Sequence, residues 1–187
     1  MIHLVKIKSM DSINQQQPED NHKDLFGEEA KKKIKDLVDS AKTCFFCTNI
    51  KEGQAFDTRP MSVQKFDDEG NFWFLSSNDS HKNEELKSDD KVQLLFQGSS
   101  YSEFLNIYGT ATVNEDKEKI KELWEPILKT WFTGGVDDPR ISVIKIQPTE
   151  GYYWDNKHGN AVAFVKQLAG AAVGKTYDDS IEGKIKI

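Results

Sequence analysis

The spacing of apolar residues changes several times along this chain, and each change marks an element. From Leu25 the spacing is helical: Ala30, Ile34, Leu37, Val38 and Ala41 recur every three or four residues. Lys31, Lys32, Lys33 and Lys35 fall largely on the other faces, as a solvated surface. From Thr43 to about Val113, β-branched and aromatic runs predict strands over 43–50, 54–66, 71–77, 91–98 and 102–113. Asp67-Asp68-Glu69-Gly70-Asn71 is turn chemistry that joins the second and third strands as a hairpin. A short helix over 80–88 separates the third from the fourth, and Gly98-Ser99-Ser100 makes the next turn.

A second helical stripe follows in Ile120, Leu123, Trp124, Ile127, Leu128 and Trp131, with Pro126 forcing a bend or break. A glycine-containing loop over 133–139 ends that unit. A long strand is expected over 141–154, where Pro148 marks a bulge or an edge. Ala161, Phe164, Val165, Leu168 and Ala172 then predict a helix over 160–172. Consecutive strands with hairpin turns imply a mainly β fold with flanking helices, an antiparallel barrel closed or nearly closed. Residues 1–20, with Gln15-Gln16-Gln17 and Pro18, read as a polar tail ahead of one domain over 21–187.

Composition narrows the function. A chain of 187 residues suits one domain with a sizeable core, and 11% aromatics against 37% hydrophobics make aromatics its main filling. A formal net charge of -6 gives no general attraction to nucleic acid or anionic membranes. An anionic ligand must therefore be held by local cations and backbone N–H groups. No apolar run approaches a membrane span, and the start lacks the charged-then-apolar layout of a secretory leader, so a cytoplasmic protein is expected. Cys44 and Cys47 sit three apart in a strand, on opposite faces, with no further cysteine to complete a zinc site. They read as buried core thiols.

The chemistry concentrates around Arg59-Pro60-Met61 and the run from Leu75 to Lys82. Ser80 is placed as an N-cap, so the first helical N–H groups would face any ligand there. Lys82 adds a point charge, Arg59 a bidentate fork, and Ser76 and Ser77 hydroxyl donors. Glu84 and Glu85 weaken the positive potential. The same residues also make an ordinary capped helix after a strand. The hairpin, by setting the strand of Arg59 beside that of Ser76, favours a phosphate site.

These segments carry a family resemblance. Arg59-Pro60-Met61 through Lys82, the strand Gly109-Thr110-Ala111, the motif Trp131-Phe132-Thr133-Gly134-Gly135-Val136-Asp137-Asp138-Pro139 and the closing Tyr152-Tyr153-Trp154 together resemble pyridoxamine 5′-phosphate oxidase-like flavoproteins, and most closely their general stress protein branch. The resemblance implies an FMN-binding split β-barrel of Greek-key, antiparallel type that forms a homodimer with flavin at the subunit interface. It implies that Arg59 and Lys82 hold the phosphate, with Ser76 beside them; Ser77, Ser80 and His81 complete the expected cofactor-binding set. It also implies that Pro60, Met61, Ser62, Val63 and Gln64 pass along the flavin edge and that Leu75 flanks it. Trp154 corresponds to a tryptophan that reaches the flavin from the other subunit. His81 stands where the parent enzymes carry arginine, and Phe104 falls near one of their glutamines. Their Arg-x-His element after the tryptophan is replaced by Asp155-Asn156-Lys157-His158, so vitamin B6 phosphate oxidation is not expected.

The resulting expectation is a flavin-dependent oxidoreductase of unassigned substrate, with NAD(P)H feeding electrons to FMN and a small molecule accepting them. FAD fits as well, since an adenylate could extend into solvent. The alternative is a flavin-binding stress or sensor protein without turnover, because no acid or base stands out. Haem lacks an axial histidine, and no metal cluster is expected. Trp124 and Trp73 read as core, Trp73 with the dimer interface as its alternative. Trp131 is either a lid over the flavin or the last core residue of its helix. His158 reads as a surface residue.

Overall fold

In the computed structural model, which describes residues 20–99, 102–173 and 177–187, the strand-forming runs pair into one branched sheet. In chain order the elements are β1 (Leu25–Phe26), α1 (Gly27–Ala41), β2 (Thr43–Thr48), β3 (Asp57–Ser62), β4 (Lys65–Phe66), β5 (Phe72–Ser77) and α2 (His81–Ser88). Then come β6 (Lys91–Gln97), β7 (Phe104–Asn114), α3 (Lys117–Leu123), β8 (Ile141–Asn156), α4 (Asn160–Val173) and β9 (Ser180–Lys186). Short 3-10 helices cover Pro126–Thr130 and Gly135–Asp137. Of the expected N-terminal tail, residues 1–19 lie outside the described residues.

The sheet runs β1-β9-β8-β7-β6-β2-β3, with β5 joining β8 and β4 pairing with β5. The β1–β9 pair is parallel, and the other strand pairs are antiparallel. One edge of β8 follows β7 from Phe104↔Trp154 to Asn114↔Val143. Its other edge is divided, carrying β5 at Ile141–Ile146 and β9 at Gly151–Asn156. Pro148 sits where the β7 register shifts, opposite Gly109, as a proline in a paired strand requires. A Cβ on Gly109 would stand 2.6 Å from the Gln147 carbonyl oxygen, so the strands approach there only because Gly109 has no side chain.

The expected single strand over 54–66 is broken at Val63 and Gln64, where the chain exchanges β2 for β5 as its neighbour. The seam is bridged by Val63 N–H to Lys42 O at 3.0 Å and Gln64 N–H to Trp73 O at 2.9 Å. The ladder therefore does not close, and the fold is a split barrel with flanking helices.

The interior is aromatic, as the composition implies. Ala30, Ile34, Leu37 and Val38 of α1 pack on Phe46, Phe72, Phe74 and Phe96. Phe46 meets Phe74 edge-on at 5.3 Å, and Phe72 stacks with Phe96 at 5.8 Å. A second cluster joins Trp73, Leu75, Ile141 and Val143 to Ile120, Leu123 and Phe132. Its cover is the bent unit after β7, where Pro126 ends the α-helical geometry and Trp124 packs half-buried. With a cluster on each face, β5 reads Phe-Trp-Phe-Leu without alternation. Trp73 adds an indole N–H to the Asp67 carboxylate at 2.7 Å, tying the hairpin turn to its strand.

Cys44 and Cys47 are unpaired and buried, and burial pushes both thiols up. Helix α4 lies largely exposed. It buries Ala163 and Gly170 while Phe164, Val165 and Leu168 stay exposed. Among the described residues no helix is long and apolar enough to cross a membrane. Asp179, fully buried just before β9, anchors α4 by accepting from Lys166 Nζ at 2.6 Å and His158 Nδ1 at 2.7 Å. His158 is exposed, as expected of a surface residue, while its ring also bonds the buried Asp179.

Burial alone would raise the Asp179 carboxyl, but the hydrogen bonds from Lys166 and His158 bring it down to about 2. Its stabilising contribution is therefore complete above the ordinary carboxylate value and fades as pH falls through about 2. Amide exchange in α4 should accelerate in Asp179→Asn at neutral pH, and the gap to wild type should close as the pH falls through that window.

Candidate functional site

β3, the end of β5 and the start of α2 converge because the hairpin and the β2–β3 register place them side by side. Pro60, Met61, Ser62 and Gln64 line one wall of a cavity of about 610 Å³. Leu75, Ser76 and Ser77 line another, Lys82 enters from α2, and Trp131 stands at the rim with Leu128 and Phe132. The volume suits a nucleotide-sized ligand. Trp131 is 64% exposed while Phe132 is buried, so Phe132 supplies the core contact and Trp131 stays at the opening.

The remaining expected residues lie around this cavity or apart from it. Val63 packs half-buried against the main core. His81 is exposed at the first position of α2. Ser80 occupies the N-cap position, but its hydroxyl caps no helical N–H. That hydroxyl bonds Asn83 Oδ1 at 3.2 Å and Ser76 Oγ at 3.2 Å, leaving the backbone carbonyl of Ser80 to accept from Asn83 N–H at 3.0 Å. Ser76 is itself buried and bonds Asn83 Oδ1 at 3.1 Å. Asn83 reaches onward to Ser142 Oγ at 2.8 Å, which donates back to Ser76 O at 3.0 Å. This closed polar circuit welds α2 to β5 and β8 and sets the direction in which Lys82 enters.

Arg59, expected to grip a ligand phosphate, is not among the residues that line the cavity, although Pro60, Met61 and Ser62 after it are, and both ends of its fork are engaged within the protein. Nη1 donates to Thr48 Oγ1 and Nη2 to Glu85 Oε2, each at 2.8 Å. Burial lowers the Lys82 pKa, and the Arg59 charge lowers it further, while Glu85 and Asp79 pull the other way. The two cations are therefore close enough to repel one another, with Lys82 the one in the cavity wall. Gln64 Oε1 is buried without a hydrogen-bond partner among the described residues. The loop under Trp131 is held by Asp138, which accepts from Gly134 N–H at 3.1 Å and from Arg140 Nε and Nη2 at 3.0 and 2.7 Å. Those bonds hold the Asp138 carboxyl well below the usual carboxylate range.

Trp154 lies elsewhere in the same chain. It lines a cavity of about 640 Å³ with its register partner Phe104 and with Leu95 and Asn106. A smaller hollow of about 360 Å³ shares Thr43 and Pro60 with the Lys82 cavity and Leu95, Phe96 and Phe104 with this one. The three form a chain of depressions along the sheet.

A family model described as pyridoxamine 5′-phosphate oxidase like matches residues 29–178. The chain belongs to that family. The chain is 30% identical over 88 residues to Protein bli-3 of Neurospora crassa, covering 43% of this chain and only 42% of that protein. It is 27% identical over 129 residues to General stress protein 26 of Bacillus subtilis, covering 66% of this chain and 86% of that one. A crystal structure of a putative general stress protein 26 from Jannaschia superposes with TM-score 0.69 at 20% identity, over 83% of this chain and 97% of its own. The general stress FMN/FAD binding protein of Xanthomonas citri superposes with TM-score 0.54 at 22% identity, over 65% and 85%. At these identities the structural likenesses establish the fold.

Where oxidases of the family carry Arg-x-His, this chain engages the corresponding side chains internally. Asp155 pairs with Lys33 at 2.8 Å, Asn156 bonds Asn160 at 2.7 Å, and His158 bonds Asp179. Sequence reasoning missed Asn83 and Ser142, because their link depends on the Ser76↔Ser142 register, which no single segment displays. It registered Glu85 only as a charge that dilutes the positive potential, because its partner Arg59 lies 26 residues away and no local pattern links them.

Asn83→Ala should lower folding stability by about 1–3 kcal/mol, since the buried partners lose their bonds. Urea denaturation measures this, and an unchanged midpoint would show that the circuit is not a strut.

Proposed function

We propose that this protein binds a flavin, FMN in the first place, in the cavity between β3, β5 and α2, as a homodimer. The observation that carries this reading is the convergence of Lys82 and the Arg59 strand on one nucleotide-sized cavity. The residues fit the ligand. Lys82 and the α2 N-terminus offer positive charge to a phosphate, and the hydroxyl of Ser77 stands beside them. The unsatisfied Gln64 oxygen would accept from a ring N–H. FAD is accommodated if its adenylate extends outward along the neighbouring depressions. The Xanthomonas citri relative named for FMN and FAD binding supports the same choice by analogy.

Dimerisation is supported by α4, whose Phe164, Val165 and Leu168 are exposed, and by Trp154, which stands away from the Lys82 cavity of its own chain. In this reading Trp154 and Phe104 approach the flavin of the other copy. The flavin, when bound, supplies the hydride chemistry. This chain's residues bind and orient it, and Trp131 shields the opening. NAD(P)H as donor, a small molecule as acceptor and a cytoplasmic location complete the proposal, the last supported by two unpaired thiols. Pyridoxamine phosphate oxidation is not part of it, because the side chains at the substrate-gripping position are engaged elsewhere.

The second reading, flavin binding without turnover, is favoured by one observation. Among the residues lining the cavity, Lys82 is the only ionisable group available to move a proton. Stopped-flow mixing with NADH or NADPH separates the two, since rapid bleaching of the flavin absorbance marks an enzyme.

Binding itself is tested by titrating FMN and riboflavin against the purified protein. Lys82→Ala should raise the Kd for FMN by roughly tenfold or more and leave riboflavin nearly unchanged, as loss of one charge-assisted phosphate contact requires. A wild-type protein that perturbs neither flavin's spectrum would overturn the assignment.

A further inference from the structure

Arg59, the residue best shaped to fork a phosphate, already has an anionic partner within the protein. Glu85 Oε2 lies 2.8 Å from its Nη2, and the Thr48 hydroxyl closes the group by accepting from Nη1 and donating to Glu85. The group is sheltered. Thr48 is fully buried, and the Arg59 and Glu85 side chains keep 23% and 17% of their exposure. Shelter strengthens both the attraction within the pair and the repulsion between Glu85 and any arriving anion. The same carboxylate acts on Lys82 in the cavity wall, alongside Asp79.

We propose that Glu85 is a positioning residue that competes with the flavin phosphate for Arg59, so that the phosphorylated flavin is held as an exchangeable ligand rather than a permanent one. The inference rests on the flavin reading above. An entering phosphate must either draw the Arg59 fork away from Glu85 or share it with a like charge close by. Both routes weaken the phosphate contact and leave the ring contacts untouched. Glu84, the neighbouring carboxylate, points its charge to Lys87 at 2.7 Å on the exposed side of α2 and does not take part.

Glu85→Gln removes the charge while keeping an oxygen for Arg59 and Thr48, so the fold is retained. FMN and riboflavin Kd values are measured for wild type, Glu85→Gln and Glu84→Gln. The expected result is an FMN Kd lowered about tenfold in Glu85→Gln, riboflavin within about twofold of wild type, and little change in Glu84→Gln. Release of FMN, followed by stopped-flow fluorescence, should slow in proportion. An unchanged ratio of FMN to riboflavin affinity in Glu85→Gln, or equal weakening of both ligands, would overturn the inference and make the ion pair a structural strut. Equal strengthening in Glu84→Gln would also overturn it, as general electrostatics. Absence of binding by either flavin to all three proteins would overturn the flavin reading as well.

Discussion

The pairing of β8 governs this molecule. One edge of the strand follows β7 across a single irregularity at Pro148, while the other edge is shared between β5 and β9. Everything of chemical interest hangs from that division. The β5 half places Ser76 against Ser142 and so directs α2 and Lys82. The β9 half carries the anchor for α4, while along the β7 edge the same stretch of β8 sets Trp154 against Phe104. Because side chains alternate, a one-residue slip of β8 would send Val143 and Ile141 to the wrong face and dissolve both arrangements together.

Much of this was legible in the sequence where a segment speaks for itself. The stripe of α1, the Asp67–Asn71 turn, the break at Pro126 and the irregularity at Pro148 all follow from local chemistry, and each stands where it was expected. The approach of β3 to the β5–α2 junction was only half legible: the hairpin was expected to set the Arg59 strand against β5, but only β4 pairs there, and β3 pairs with β2 instead. What escaped was relational. β9 has only Ile181, Gly183 and Ile185 facing inward among charged residues, a weak alternation that becomes a strand once β8 offers an edge. The division of 54–66 into β3 and β4 depends on which partner each half finds. The Ser80 hydroxyl gave up its usual cap because Asn83 and Ser76 were closer competitors.

An acidic protein must manage its carboxylates locally if it is to receive an anion, as proposed above. Here the buried ones are matched individually, Asp138 by Arg140 and Asp179 by Lys166 and His158, as is the half-buried Asp67 by Asn71 and the Trp73 indole. These pairings leave the overall charge negative while keeping the cavity wall free of them. Glu85 differs in being paired with Arg59 while also acting on Lys82 in the cavity wall. In the reading proposed above, that placement turns a structural habit of this chain into a control on its ligand.

Helix α4 has a consequence beyond recognition. Its anchors at Lys166 and Asn160 hold it in place, so Phe164, Val165 and Leu168 cannot retreat into the interior when the chain is alone. A newly made single copy therefore carries a greasy ridge through the crowded cell until something covers it. Its survival over that interval is a contest between encounter frequency and clumping, and the supply of fresh chains, more than the depth of the folded well, decides the winner.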